Sequence, residues 1–161
     1  MVTITLKEGQ LSLAEMRAAL KTPLQVKLDP GCLNRIETSA KTVDSVLEQE
    51  QTVYGINTGF GALVNTRINA DDLEQLQINL IRSHATGIGE PMPHAHVRAM
   101  MVVRLNSLLG GHSGVHEDPL RQLEAFLNQG ITPIVPRLGS LGASGDLAPL
   151  SHVALALIGE G

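Results

Sequence analysis

Aromatic residues are nearly missing from this chain: Tyr54, Phe60 and Phe126 are the three among 161 residues, and tryptophan is absent. Stacking platforms for nucleic-acid bases are therefore excluded, and a core has to be built from Leu, Ile, Val, Met and Ala. Basic clusters are lacking as well. The 12 Lys and Arg are scattered singly against 16 Asp and Glu, which leaves no surface for a phosphate backbone. Long apolar runs are also missing. The longest, Val153 to Ile158, falls far short of the roughly 20 residues of a membrane span, so neither nucleic acid nor membrane is expected as a partner. Met1 to Gly9 lacks the basic start and apolar stretch of a signal peptide. The single Cys32 has no internal disulfide partner, which fits a reducing cytoplasm. With 43% hydrophobic and 17% charged residues, the chain has the composition of a folded globular domain rather than a disordered one.

Periodicity points to a mainly helical chain with a small β element near the N-terminus. Val2 to Leu6 and Leu24 to Leu28 alternate as short strands that could pair. Between them Ser12-Leu13-Ala14-Glu15 is a capping box, opening a helix through Lys21 that Pro23 ends. Asp29-Pro30 caps a helix expected to reach Glu50, with Leu33, Ile36, Ala40, Val43 and Leu47 on one face. A second helix spans about Asp71 to His84, its stripe made of Leu73, Leu76, Leu80, Ile81 and His84. Gly87, Gly89, Pro91 and Pro93 read as a turn. Val97, Met101, Leu105 and Leu108 mark a third long helix, stopped at Gly110-Gly111, and Asp118-Pro119 caps a fourth through Asn128. Ile131 to Ala143 reads as a Pro- and Gly-rich loop, and a last helix runs from Asp146 or Pro149 to Gly159. Residues 1–110 are read as an N-terminal lobe and 111–161 as the start of a helical core.

Two glycine-rich loops stand out, and the usual glycine-loop chemistries fail on both. Gly59-Phe60-Gly61 follows a helix rather than a strand and has Val64 where a dinucleotide fingerprint needs glycine; neither loop ends in the Gly-Lys-Ser/Thr of a phosphate cradle. Around Ser144, Gly142 satisfies a nucleophile elbow, but Asp146 occupies the place of its second glycine. The six histidines include His94-x-His96 and His112-x-x-x-His116, without the cysteines or carboxylates that complete a metal site. His84 continues an aliphatic stripe, and its plain reading is a core histidine bonded to a backbone carbonyl. Tyr54 has a similarly plain reading, as an aromatic anchor for its loop.

Ala143-Ser144-Gly145 permits one further chemistry. If the Gly145 amide nitrogen attacks the Ala143 carbonyl carbon, a five-membered ring closes with loss of water. Elimination of the Ser144 hydroxyl then leaves a methylidene-imidazolone, a strong electrophile. The residue types suit the reaction: Gly145 offers an unhindered nitrogen, Ser144 a leaving group, and Ala143 little bulk. The tripeptide alone is weak evidence, since about one chain in twenty of this length carries it by chance at average composition.

Four blocks strengthen it: YGINTGFG at Tyr54 to Gly61, LIRSHATGIGEP at Leu80 to Pro91, RLNSLLGGHSGV at Arg104 to Val115, and PRLGSLGASGDLAPLSHVAL at Pro136 to Leu155. In order and spacing the chain resembles, over essentially its whole length, the N-terminal part of the histidine and phenylalanine ammonia-lyase family. The resemblance implies that Ala143, Ser144 and Gly145 form a 4-methylidene-imidazol-5-one prosthetic group autocatalytically. It implies that Tyr54 is the catalytic tyrosine, taking the β-proton of the substrate, and that His84 and Gly61 are on the substrate-binding side. The Ser83-His84 pair is similar to that of the members acting on L-histidine to give urocanate and ammonia, whereas phenylalanine enzymes carry a Phe-Leu-like pair there.

Members of the family are much longer and assemble as homotetramers whose sites combine residues of different subunits. The 161-residue chain is accordingly expected to be inactive alone, with incomplete ring closure. Two alternatives remain: a phenylalanine or tyrosine ammonia-lyase or aminomutase, and a non-catalytic helical assembly module.

Overall fold

The computed structural model describes residues 2–21, 23–49, 52–59, 68, 70–142 and 146–161. Gly61 and the tripeptide 143–145, singled out above, lie outside the described residues. The chain starts with β1 (Val2–Leu6), α1 (Leu13–Lys21) and β2 (Leu24–Leu28). The two strands pair in parallel, with Ile4 opposite Val26, and α1 is the crossover that parallel strands require. Its start is the capping box expected from sequence: Ser12 N–H donates to Glu15 Oε2 at 2.8 Å, and Glu15 N–H returns to Ser12 Oγ at 3.2 Å. Its end is held by Arg98, whose guanidinium donates to the carbonyls of Ala19 and Leu20 at 2.8 and 3.1 Å, satisfying acceptors that a helix terminus leaves open.

Asp29 caps as expected, its carboxylate accepting from Gly31 N at 3.0 Å. A single 3-10 turn intervenes before α2 (Leu33–Glu48), which stops two residues short of the expected Glu50. Then come α3 (Ala70–His84), α4 (His94–Leu108), α5 (Glu117–Gln129) and α6 (Leu147–Leu157). Helix α5 begins two residues earlier than the Asp118-Pro119 reading, with His116 as its cap. Pro119 therefore falls within the first turn, where a missing N–H costs nothing. Gly130, at φ +72°, closes α5 in the left-handed conformation.

The sequence points to a turn around Gly89 and a loop around Pro136, and here the structure differs. β3 (Ile88–Pro91) and β4 (Pro136–Leu138) form a second, antiparallel pair with an irregular register. The fold is thus mainly α, with one small sheet near the N-terminus and another beside the start of α6.

The core is aliphatic, as the shortage of aromatics demands. Ile4, Leu6 and Val26 of the first sheet meet Ile36, Val97, Met101, Leu105, Leu120 and Leu123, all buried. Helix α5 also covers the open edge of β2. The Asn128 side chain accepts from Val26 N at 2.6 Å and donates to Val26 O at 3.0 Å, while Glu124 accepts from Leu28 N at 3.1 Å. One amide side chain thus takes the place of a neighbouring strand.

Candidate functional site

His84 stands at the last residue of α3, half-buried. Its Nδ1 lies 2.8 Å from the Leu80 carbonyl oxygen and 3.2 Å from Ser83 Oγ. Because a carbonyl only accepts, Nδ1 carries a proton, and a neutral ring keeps its lone pair on Nε2. The backbone-bonded histidine expected from the stripe is therefore present, but it is not enclosed in the core. Ser83, His84 and Thr86 form one wall of a cleft of about 250 Å³; Gly139, Leu141, Leu147 and Ala148 form the other. These latter residues precede and follow the tripeptide 143–145 in sequence, so the fold brings His84 to both flanks of that segment from a helix far away in sequence.

The flanks of that loop are constrained. Ser140 Oγ–H donates to the Asp146 carboxylate, bridging the ends of the segment that holds the tripeptide. Asp146 is the cap of α6 and has φ +54°, the one positive φ outside glycine among the described residues. Such a conformation costs on the order of 1–3 kcal/mol and persists where the surroundings enforce it. Gly142 faces open space, with no atom within 4 Å of where a Cβ would sit. The two flanks of residues 143–145 are thus tied to each other, while Gly142 stays uncrowded.

Tyr54 is elsewhere. It sits in a turn in which Ile56 N and Asn57 N both donate to Val53 O, at 3.1 and 3.2 Å, and Asn57 Oδ1 accepts from Val53 N at 2.9 Å. Asn57 and Thr58 are buried, whereas Tyr54 is 60% exposed. The described residues lining the His84 cleft do not include Tyr54. A larger hollow of about 530 Å³ lies between α2 and residues 110–114, with Ile56 on its wall. Arg35, its cationic lining group, is already paired with Glu8 at 2.7 Å.

Two residues at the site escaped the reading of the sequence. Asn57 shapes the tyrosine turn, and its signal was a short polar side chain among glycines. His152, on α6, accepts from Gly87 N through Nε2 at 3.0 Å, and burial pushes its imidazole below the ordinary 6.5. Its signal was a single imidazole in an otherwise nearly apolar helix, the same pattern that marked His84. No group of three or more His, Cys, Asp or Glu suited to a metal occurs among the described residues.

Comparison with known proteins gives a consistent picture. The family described as aromatic amino acid lyase matches residues 11–161. A histidine ammonia-lyase of Vibrio parahaemolyticus is 48% identical over 161 residues, covering all of this chain and 32% of its own length. One of Staphylococcus aureus is also 48% identical, over 99% of this chain and 32% of its own. Among solved structures, tyrosine aminomutase from Streptomyces globisporus superimposes with a TM-score of 0.93 at 36% identity, over 99% of this chain and 30% of that one. Histidine ammonia-lyase from Trypanosoma cruzi gives 0.89 at 35%, over 99% and 30%. The chain spans about a third of the length of the relatives it matches.

Proposed function

The chain belongs to the aromatic amino acid lyase family, and from that premise we propose that it serves as the N-terminal part of a histidine ammonia-lyase. In this reaction a base removes a β-proton from L-histidine, the Cα–N bond breaks, and ammonia departs with the bonding pair, leaving the double bond of urocanate. The observation that carries the reading is the cleft in which Ser83 and His84 face the flanks of residues 143–145. The 4-methylidene-imidazol-5-one formed from Ala143, Ser144 and Gly145, with loss of two waters, supplies the electrophile that lets ammonia leave.

The remaining roles belong to ordinary side chains. His84, with its Nδ1 proton held by the Leu80 carbonyl, presents Nε2 as an acceptor for the N–H of a substrate imidazole, which a phenyl ring cannot offer. Tyr54 is the base for the β-proton, and Gly61 belongs with His84 to the substrate-binding side. Exposure of Tyr54 outside the cleft agrees with a homotetramer in which one subunit's tyrosine serves another's site. Assembled from the described residues, the cleft is smaller than the roughly 300 Å³ at which ligand pockets begin, which agrees with a site completed by other segments.

The test is substrate choice in the full-length enzyme. Urocanate absorbance from L-histidine, with L-tyrosine unreacted, is expected; a β-amino acid or a cinnamate-type product from L-tyrosine overturns the reading. The likeness to tyrosine aminomutase makes that second outcome the rival. The 161-residue chain alone is expected to give no urocanate, and robust turnover by it would sink that part. Its intact mass is expected to show incomplete ring closure, so a uniform deficit of two waters would contradict the proposal.

A further inference from the structure

Three segments meet where α3 ends. Gly87 follows His84 by one short turn. A Cβ built on it would lie 2.9 Å from His152 Nε2 and 3.1 Å from Pro136 Cβ. Gly139, at φ +130°, is equally confined: its Cβ would come within 3.0 Å of the Gly87 Cα and 3.6 Å of the Ala148 Cβ. The backbones after α3 and after β4 therefore pack closely at Gly87 and Gly139, against Ala148 and His152 of α6, and there the Gly87 N–H donates to His152 Nε2 at 3.0 Å.

We propose that His152 is a positioning residue: by accepting the Gly87 amide proton on a neutral Nε2, it ties the end of α3 to α6 and so sets where Ser83 and His84 stand against Gly139, Leu141, Leu147 and Ala148. This rests on the reading of that cleft as the substrate site. Acceptance requires the proton of the neutral ring to be on Nδ1, and protonation of Nε2 would turn two donors against each other. Burial favours the neutral form here. The charged groups of the surrounding elements leave that cause unopposed. Arg82 in the last turn of α3 is held by Glu160 beyond α6. Arg121 on α5 is held by Glu117 and Glu124. Asp146 receives Ser140; Glu90 is on β3, Arg137 on β4, and Asp72, Glu74 and His84 are on α3. Burial is the cause that lowers the His152 pKa.

The experiment is NMR on the purified chain as it exists. At pH 7.5, ring ¹⁵N shifts are expected to show an unprotonated Nε2 on His152. As the pH falls, the Gly87 amide and the Ser83 and His84 amides should titrate with the His152 ring, at a midpoint below 6.5. His152→Leu should speed Gly87 amide exchange about tenfold and shift the His84 signals, while His152→Gln, which keeps an acceptor, should restore both. A protonated Nε2 at pH 7.5, a Gly87 amide indifferent to the His152 titration, or equal behaviour of the Leu and Gln variants overturns the proposal. None of these readouts depends on which amino acid the full-length enzyme accepts. A tyrosine-specific enzyme with the expected titration would refute the histidine reading and leave the clamp standing.

Discussion

His84 gains its chemistry from being the last residue of a helix. Inside α3 its ring would be packed and its second nitrogen wasted; at the end, the Leu80 carbonyl fixes Nδ1–H, and the proposed function gives Nε2 to the substrate. Replacing it with Phe in the full-length enzyme removes one hydrogen bond to a substrate imidazole, worth about 1–3 kcal/mol. We expect kcat/KM for histidine to fall roughly 10- to 100-fold, with tyrosine gaining relative to histidine. Unchanged preference would remove His84 from its selecting role. Tyr54→Phe keeps the ring and deletes the hydroxyl, so kcat should drop by about 10²- to 10⁴-fold with little change in KM; a wild-type kcat would show that the proton goes elsewhere. For His152 the sign is set by burial. Its folded-state pKa is lowered from 6.5, so the neutral ring's contribution to stability is present above pH 6.5 and is lost as the pH falls through the folded value. Thermal melts should show a loss of stability below pH 6.5 that His152→Gln removes, because Gln does not titrate.

Elements with local causes were readable from residues alone, and those with distant causes were not. The Ser12–Glu15 capping box, the Asp29 cap and the stripe Val97, Met101, Leu105 and Leu108 each depend on neighbours within a few positions, and each has its expected place. β3 and β4 depend on each other. Ile88-Gly-Glu-Pro and Pro136-Arg-Leu are too short and too rich in Gly and Pro to read as strands, and they become strands because Met92 N donates to Val135 O at 2.8 Å and Gly87 is clamped by His152. Prolines are tolerated there because a two-stranded sheet is all edge. The site follows the same division. The motifs pointed to His84 and Tyr54, but periodicity did not reveal that Ser83 and His84 would face Gly139, Leu141, Leu147 and Ala148, and the remote Tyr54 turn is held by Asn57 rather than by the cleft. At this scale Asn128 is the decisive test, since it stands in for a strand beside β2. Asn128→Ala deletes two hydrogen bonds at about 1 kcal/mol each. At roughly 2–4 °C per kcal/mol, the midpoint should fall by about 4–8 °C. Asn128→Asp, which keeps the acceptor and loses the donor, should fall between.

The whole molecule carries more apolar surface than its core consumes. Helix α6 reads Leu-Ala-Pro-Leu-Ser-His-Val-Ala-Leu-Ala-Leu, apolar nearly all round, and such a helix belongs inside a larger packing. Here only Ala148 and Val153 of it are buried, while Leu147 is 45% exposed and Val103 on the adjoining α4 is 51% exposed. Ala99, Met100, Val103 and Leu150 line a groove of about 380 Å³ between these helices. A family member spanning a third of its relatives' length, with a proposed tetrameric parent, is expected to cover this face with copies of itself when purified alone. Each half-exposed Leu or Val buried on association contributes at about 25 cal/mol per Å² of apolar surface, which favours a concentration-dependent, reversible contact over a tight one. Sedimentation equilibrium should therefore show a mass rising above 17.1 kDa with concentration. Val103→Lys with Leu147→Lys should return the chain to a monomer without lowering its melting midpoint, because neither side chain belongs to the buried core. A wild-type chain that stays monomeric at high concentration, or a double variant that associates as strongly, would show that this face is self-sufficient in water.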